Sequence, residues 1–196
     1  MSVTYGFYNS VNGDRKYDAV QVSSMFAGLI LDGVFEAIGT KFEVKATTGL
    51  ALTVGIGKAW FNNTWTLNDA VLPITAPEAE VLLDRIDAIV IDVDSSESVR
   101  ANEIKYITGT PASTPTKPTL LHTNTHNQYA LCYISRTGGS TAIAQSDITN
   151  VVGTTETPYV KALFKTDTPD DNPAIKVVTS VPSSPAANTV YLVYTE

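Results

Sequence analysis

Between Leu82 and Val93 the chain reads Leu-Leu-Asp-Arg-Ile-Asp-Ala-Ile-Val-Ile-Asp-Val. An extended backbone sends Ile89, Ile91 and Val93 to one face and Ala88 and Val90 to the other. Both faces are apolar, which predicts a strand covered on both sides rather than a half-exposed one. Its β-branched content suits a pleated surface, and the polar Asp94–Ser98 segment ends it.

Alternation with period two recurs along most of the chain. Phe42–Ala46, Gly49–Val54 and Ala59–Phe61 read as strands, and Asn62-Asn63 is a hairpin turn into Thr64–Leu67. Pro73 and Pro77 interrupt the pattern. Glu103–Gly109 resumes it with Ile104 and Tyr106 on one side, and Tyr129–Ser135 is a further strand before the turn at Gly138-Gly139. Thr110–Thr119 is an extended Pro-rich connector, and Gln145–Asn150 a short helical turn. The one convincing helical pattern lies near the N-terminus, after an aromatic lead-in with Tyr5, Phe7 and Tyr8 and a turn at Asn12-Gly13. Asp18 and Gln21 fit a capping box, and Val22, Met25, Phe26, Leu29 and Ile30 share a face that Gly33 would end. A further turn follows through Val34, Phe35 and Ile38. So wide an apolar face needs cover, and the chain's own core is the expected partner, ahead of another subunit.

These elements predict a mainly β (α+β) fold. A small helical N-terminal segment (1–40) precedes an antiparallel β-sandwich-like core domain (41–157). A linker (158–173) then leads to a short C-terminal β-hairpin module (174–196), whose strands Ile175–Val178 and Val190–Tyr194 flank Pro182–Asn188. Two strands alone are marginal in water, and about twenty residues cannot bury a core. The tail must therefore dock on the main domain or associate with copies of itself, the second being favoured, with Val190, Tyr191, Leu192, Val193 and Tyr194 as contacts.

Composition changes this picture little. The 196 residues are 43% hydrophobic and 17% charged, ordinary for a globular protein. A net charge of −7 argues against broad binding to a nucleic-acid backbone, which needs clustered Lys and Arg. The single Cys132, in Ala-Leu-Cys-Tyr-Ile, cannot form an intrachain disulfide and reads as a buried structural thiol. No leader pattern and no apolar run near the ~20 residues of a membrane span are present, so membrane insertion is not expected. A protein of this kind working outside the cell would leave by lysis or within an assembled particle.

Candidate chemistry is sparse. His122 and His126 have the spacing of a helical metal pair, but their surroundings are Thr- and Asn-rich and lack an adjacent Glu. Asp167, Asp170 and Asp171 offer oxygen ligands without the glycine and distal Glu of a calcium loop. Gly55-Ile-Gly-Lys58 resembles the end of a phosphate loop, with Leu52 and Ala59 where a glycine and a Ser/Thr belong. No nucleophile elbow occurs, and the sequence points to no cofactor. Asp84 with Asp87 and Asp92 with Asp94 are candidate acid/base pairs, but they read better as solvated edge and turn groups, with an Asp84–Arg85 ion pair left open. Trp60 and Trp65 are a candidate sugar-stacking pair or core anchors on a hairpin, the second reading being favoured.

Tyr5-Gly-Phe-Tyr-Asn-Ser-Val-Asn-Gly-Asp-Arg-Lys-Tyr17 and Met25–Phe35 resemble the N-terminal region of structural proteins from tailed phages and prophages of Gram-positive bacteria. Asp84–Val93, Gly109–Pro115 and Leu131–Ile134 are similar to a run in tail-tip and baseplate proteins of this kind. Val178–Val193 looks like a short module of fibre-like phage proteins. The resemblance covers residues 1–160 and the C-terminal module. It implies a virion component without catalytic residues, made in the host cytoplasm: a baseplate, tail-tip or fibre-anchoring subunit, often a homotrimer, partnered by other tail or fibre proteins. The alternative is a receptor-binding or head-decorating fibre protein that recognises a host cell-surface glycan.

Overall fold

The computed structural model describes residues 12, 17–161, 174–178, 180–184 and 189–193. The chain divides into two compact units, residues 1–161 and 162–196. The architecture is mainly β, as the alternation predicted.

Among the described residues of the first unit, one α-helix, α1 (Ala19–Ser24), is followed by β1 (Gly33–Val34), β2 (Val44–Ala46), β3 (Ala51–Val54), β4 (Gly57–Phe61) and β5 (Thr64–Asn68), and a single 3-10 turn, Gln145–Asp147, lies later in the chain. After these come β6 (Leu72–Thr75), β7 (Arg85–Asp94), β8 (Ala101–Ile107), β9 (His126–Arg136) and β10 (Ile148–Asn150). Three antiparallel sheets result, in the orders β1-β4-β5, β2-β3-β6 and β10-β9-β7-β8. One face of the four-stranded sheet, with Ile89, Ile91, Val93, Leu131 and Ile134, packs with Phe42, Leu52, Val54 and Phe61 of the two smaller sheets and their connections. Ala88, Val90, Ala130 and Tyr133 form a second cluster on the opposite face, where Leu120, just after the Pro-rich connector, and Val151 cover them. Seven consecutive residues of β7, Asp87 to Val93, are buried, so the two-sided pattern does mark a doubly covered strand. A bulge slips the β7–β9 register: Ile89 pairs with Cys132 and Val90 with Ala130, leaving Leu131 without a partner. Leu131 and Cys132 consequently both reach the larger cluster.

Several sheet edges of the first unit are covered. The Gln145 amide accepts from Ala46 N (2.9 Å) and donates to Val44 O (3.3 Å), taking the place of a strand beside β2. From β8, Asn102 Nδ2 donates to Thr64 Oγ1, Trp65 O and Thr66 Oγ1 of β5. Edge strand β6 carries Pro73, which has no N–H to offer another chain. Pro158–Lys161, at the start of the expected linker, runs beside β1, with Val34 N donating to Pro158 O and Val160 N to Val34 O.

Three expectations change. The capping box forms as read, with Gln21 N on Asp18 Oδ1 at 2.8 Å and Asp18 N on Gln21 Oε1. The helix, however, stops at Ser24, and Gly33 begins a strand instead of ending a helix. Ser23 and Ser24 turn their hydroxyls back onto Val20 O and Gln21 O, and Gly28 takes φ +81°, which a right-handed helix excludes. Own-core packing is only partial: Val22, Met25 and Leu29 stay exposed, whereas Phe26 and Ile30 are half-buried and Phe26 meets Trp60. In the second unit, β11 (Ala174–Val178) and β12 (Thr189–Val193) pair in parallel, so the expected hairpin is absent. The connection from 179 to 188 holds two prolines and can span about 30 Å, enough to carry the chain back along a strand of about 16 Å.

Candidate functional site

Among the described residues, one surface feature lies on the outer face of the β1-β4-β5 sheet. Asn62 and Asn63, at φ 51° and 60°, form the left-handed two-residue turn of the β4–β5 hairpin. Asn62 N donates to Asp32 Oδ1 (3.2 Å), Tyr129 OH donates to Asn62 Oδ1 (2.7 Å), and Asn102 ties down the following strand. Burial pushes the Asp32 carboxyl above its ordinary range against that backbone bond, and burial raises Tyr129 to about 12. The hairpin tip is thereby fixed.

Trp60 and Trp65 are directly paired across this hairpin, which puts both indoles on one face. They are not equivalent. Trp60 is 8% exposed, met edge-on by Phe26 at 5.9 Å, and its Nε1–H has no hydrogen-bond partner among the described residues. Trp65 is 61% exposed, with the Lys58 ammonium 5.6 Å from its ring centroid. The core-anchor reading is thus corrected for Trp65: strand alternation turns Thr66 inward and Trp65 and Leu67 outward. Between this hairpin and α1 runs a groove of ≈600 Å³, lined by Val20, Val22, Phe26, Trp60, Asn63 and Trp65 among others. The structure therefore brings the two tryptophans predicted as a pair into one groove.

The strand-end carboxylates also need correction, since Asp87 and Asp92 are 0% and 1% exposed. Asp87 accepts from Arg85 Nε (2.9 Å), Tyr106 OH (2.6 Å) and Gly109 N (2.7 Å). Burial and the Asp87 carboxylate together push the Tyr106 hydroxyl far above its ordinary pKa. A Cβ at Gly109 would meet Ile86 O at 1.9 Å, so only glycine brings its N–H there. Arg136, opposite Arg85 in the ladder and 2% exposed, has no hydrogen-bond partner for its guanidinium among the described residues. Asp92 is held by Lys105 Nζ (2.6 Å), Gln128 Nε2 (2.8 Å) and His126 Nε2 (2.9 Å). Burial alone would raise the Asp92 pKa, but these three bonds carry it below the usual carboxylate value. Asp84 accepts from Gly138 N at 2.8 Å rather than pairing with Arg85, whose Nε turns to Asp87.

The two histidines are not brought to one site: His126 lies on Asp92, while His122 meets the Tyr129 ring edge-on at 5.9 Å. Among the described residues no group of three His, Cys, Asp or Glu is arranged to hold a metal ion, and Asp167, Asp170 and Asp171 fall outside them. Cys132 is buried, and desolvation raises its thiol to about 12. A second depression of ≈360 Å³ includes Lys117, His122, Tyr133 and Glu156 in its lining. Lys117 there sits 4.0 Å from the Tyr133 ring centroid and 2.9 Å from Glu156, which also accepts from Tyr133 OH.

Of the expected tail contacts, Val190 and Val193 are 46% and 47% exposed and Tyr191 is half-buried. Leu192 lies in β12, and Tyr194 is outside the described residues. Sequence reasoning missed the apolar turn Val81–Leu83, exposed at 75%, 84% and 40%. Its signal was present as three aliphatic residues just ahead of the central strand, outside the alternation. Comparison with known proteins gives no match, whether to family models, to curated proteins or to solved structures.

Proposed function

We propose that this chain is a non-enzymatic structural subunit of a tailed-phage virion, a tail-tip, baseplate or fibre-anchoring component that works as a homo-oligomer, most simply a trimer. The resemblance of Tyr5–Tyr17, Asp84–Val93 and Gly109–Pro115 to phage tail proteins supplies the class. The observation that carries the assembly is the apolar N-terminal segment, where Val20, Met25 and Leu29 are 74%, 49% and 47% exposed on a single copy. Apolar side chains concentrated over so short a stretch mark a surface that meets another protein. Side-chain cover at β2 and β5 favours contact through faces over strand addition at those edges.

Light scattering on the purified protein tests the assembly, with an expected mass three times the 21.0 kDa of one chain. A monomer at every concentration sinks the reading. Immunogold labelling of phage particles tests the location, and label confined to capsids sinks the tail assignment.

A further inference from the structure

The four-stranded sheet ends on β8, and that edge differs from those already described. The Gln145 amide occupies the edge of β2, Asn102 reaches the edge of β5, and Pro73 of β6 has no N–H to give. β8 pairs with β7 on one side only. Among the described residues, no backbone N–H or C=O of Ala101–Ile107 is bonded outside that ladder. None of its seven residues is fully buried, in contrast to the run of seven buried residues in β7. Alternate residues of an antiparallel edge strand turn both backbone groups outward, and such a row is a template for another strand. A lysine often guards an edge of this kind. Here Lys105 is held on Asp92 at 2.6 Å and on Glu103 at 3.0 Å.

The order of side chains on β8 selects the strand it can take. Asn102, Ile104 and Tyr106 pair with Val93, Ile91 and Ile89, on the face of the larger core. Glu103 and Lys105 pair with Asp92 and Val90, on the opposite face. A second β8 brought up antiparallel by a two-fold axis normal to the sheet keeps each face on its own side. Residues then meet only where they share a face. Centred on Ile104, the pairing uses all seven residues and sets Glu103 of each copy opposite Lys105 of the other. Opposite charges directly across a ladder attract. Centring on Glu103 or on Lys105 instead shortens the ladder and sets like charge against like. The sequence of this edge is therefore complementary to itself in one register.

We infer that two copies of the chain pair their β8 strands antiparallel about a two-fold at Ile104, joining two four-stranded sheets into one. The contact is isologous, so every interaction in it occurs twice. It goes beyond the N-terminal apolar contact proposed above and does not depend on it. Where that contact makes a trimer, β8 joins two trimers; where it does not, β8 makes a dimer.

Sedimentation of the full chain over a range of concentrations, combined with hydrogen exchange at the β8 amides, tests the pairing. The expected result is an assembly with an even number of copies, in which the outward amides of Ala101–Ile107 exchange slowly and become fast on dilution. Glu103→Lys, at a side chain 58% exposed, sets lysine against lysine at both symmetry-related pairs. Its expected effect is a self-affinity weakened about tenfold. Glu103→Gln removes the attraction without adding repulsion, so it weakens pairing less, and it serves where the lysine variant does not melt like the wild type. A dimer with slow β8 amides supports the pairing and overturns the trimer. A trimer whose β8 amides stay fast at every concentration overturns the pairing and leaves the N-terminal contact standing. An even assembly with fast β8 amides, or with equal affinity in wild type and both Glu103 variants, overturns the pairing too. A monomer at every concentration overturns both contacts.

Discussion

Strand β7 carries two buried carboxylates five residues apart, and odd spacing sends them to opposite faces of the sheet. Asp87 extends the larger core and Asp92 the smaller cluster beneath the connector. Their partners differ in kind. Asp87 is matched with Arg85, a buried guanidinium that bonds it through Nε, and has Arg136 nearby, whose charge also reaches Tyr106. Asp92 is matched with Lys105 and His126, which are 41% and 28% exposed and open to solvent. The first centre is a sealed part of the core, and the second is a surface-linked joint between β7, β8 and β9.

Removing each carboxylate separates the two kinds of centre. Asp87→Ala leaves Arg85 and Arg136 buried without a counter-charge, and its expected cost is about 3–5 kcal/mol by urea unfolding. That cost measures the stranded cations rather than any net gain from the original pair, since a buried ion pair roughly breaks even against apolar packing. A loss under about 1 kcal/mol would mean that the guanidinium groups are solvated elsewhere, and the sealed-core description would fall.

The sequence makes the β plan readable because alternation is local: Ile86–Val93 needs only its own residues to declare a strand with two apolar faces. The same locality explains the errors. Acidic residues interrupting an apolar strand read as its wet ends, since Tyr106, Gly109, Gln128 and Arg136 arrive from other strands and loops. The helix was overextended because Val22, Met25, Phe26, Leu29 and Ile30 keep helical spacing through Gly28, whose positive φ overrides it. Strand direction is invisible in an alternating pattern, so β11 and β12 could be found but not oriented. In the groove, the tryptophans and the Asn-Asn turn were legible, whereas the wall supplied by α1 depended on where that helix stopped.

Asp92→Asn is the second, smaller break. At neutral pH its expected cost is about 1.5–3 kcal/mol, the range of hydrogen bonds to a charged group, because Lys105 retains solvent when its partner is neutralised. The pH dependence separates it further. The Asp92 pKa is lowered in the folded chain, so its contribution is present above the unfolded carboxylate value of about 3.9 and is lost as pH falls through the lower folded value. Unfolding free energies at pH 7 and pH 3 should therefore converge in Asp92→Asn relative to wild type. Equal pH dependence in the two proteins would place the acid sensitivity elsewhere.

Lys105→Met sharpens the comparison from the cation's side and has the smallest expected effect. Lys105 bridges Asp92 at 2.6 Å and Glu103 at 3.0 Å, and both bonds raise its pKa. A raised lysine pKa stabilises fully below the unfolded value near 10.4 and loses its contribution as pH climbs through the folded one, so the difference from wild type should be present at pH 7 and narrow in strong alkali. With the ammonium partly in water, its worth is that of a screened surface pair, about 1 kcal/mol or less, and should shrink in 1 M salt. Gln128 and His126 remain on Asp92, so the carboxylate is not stranded as the arginines are in Asp87→Ala. A loss matching that of Asp92→Asn would show that Lys105 alone holds the joint, making it a sealed pair like the one at Asp87 and erasing the distinction between the two ends of β7.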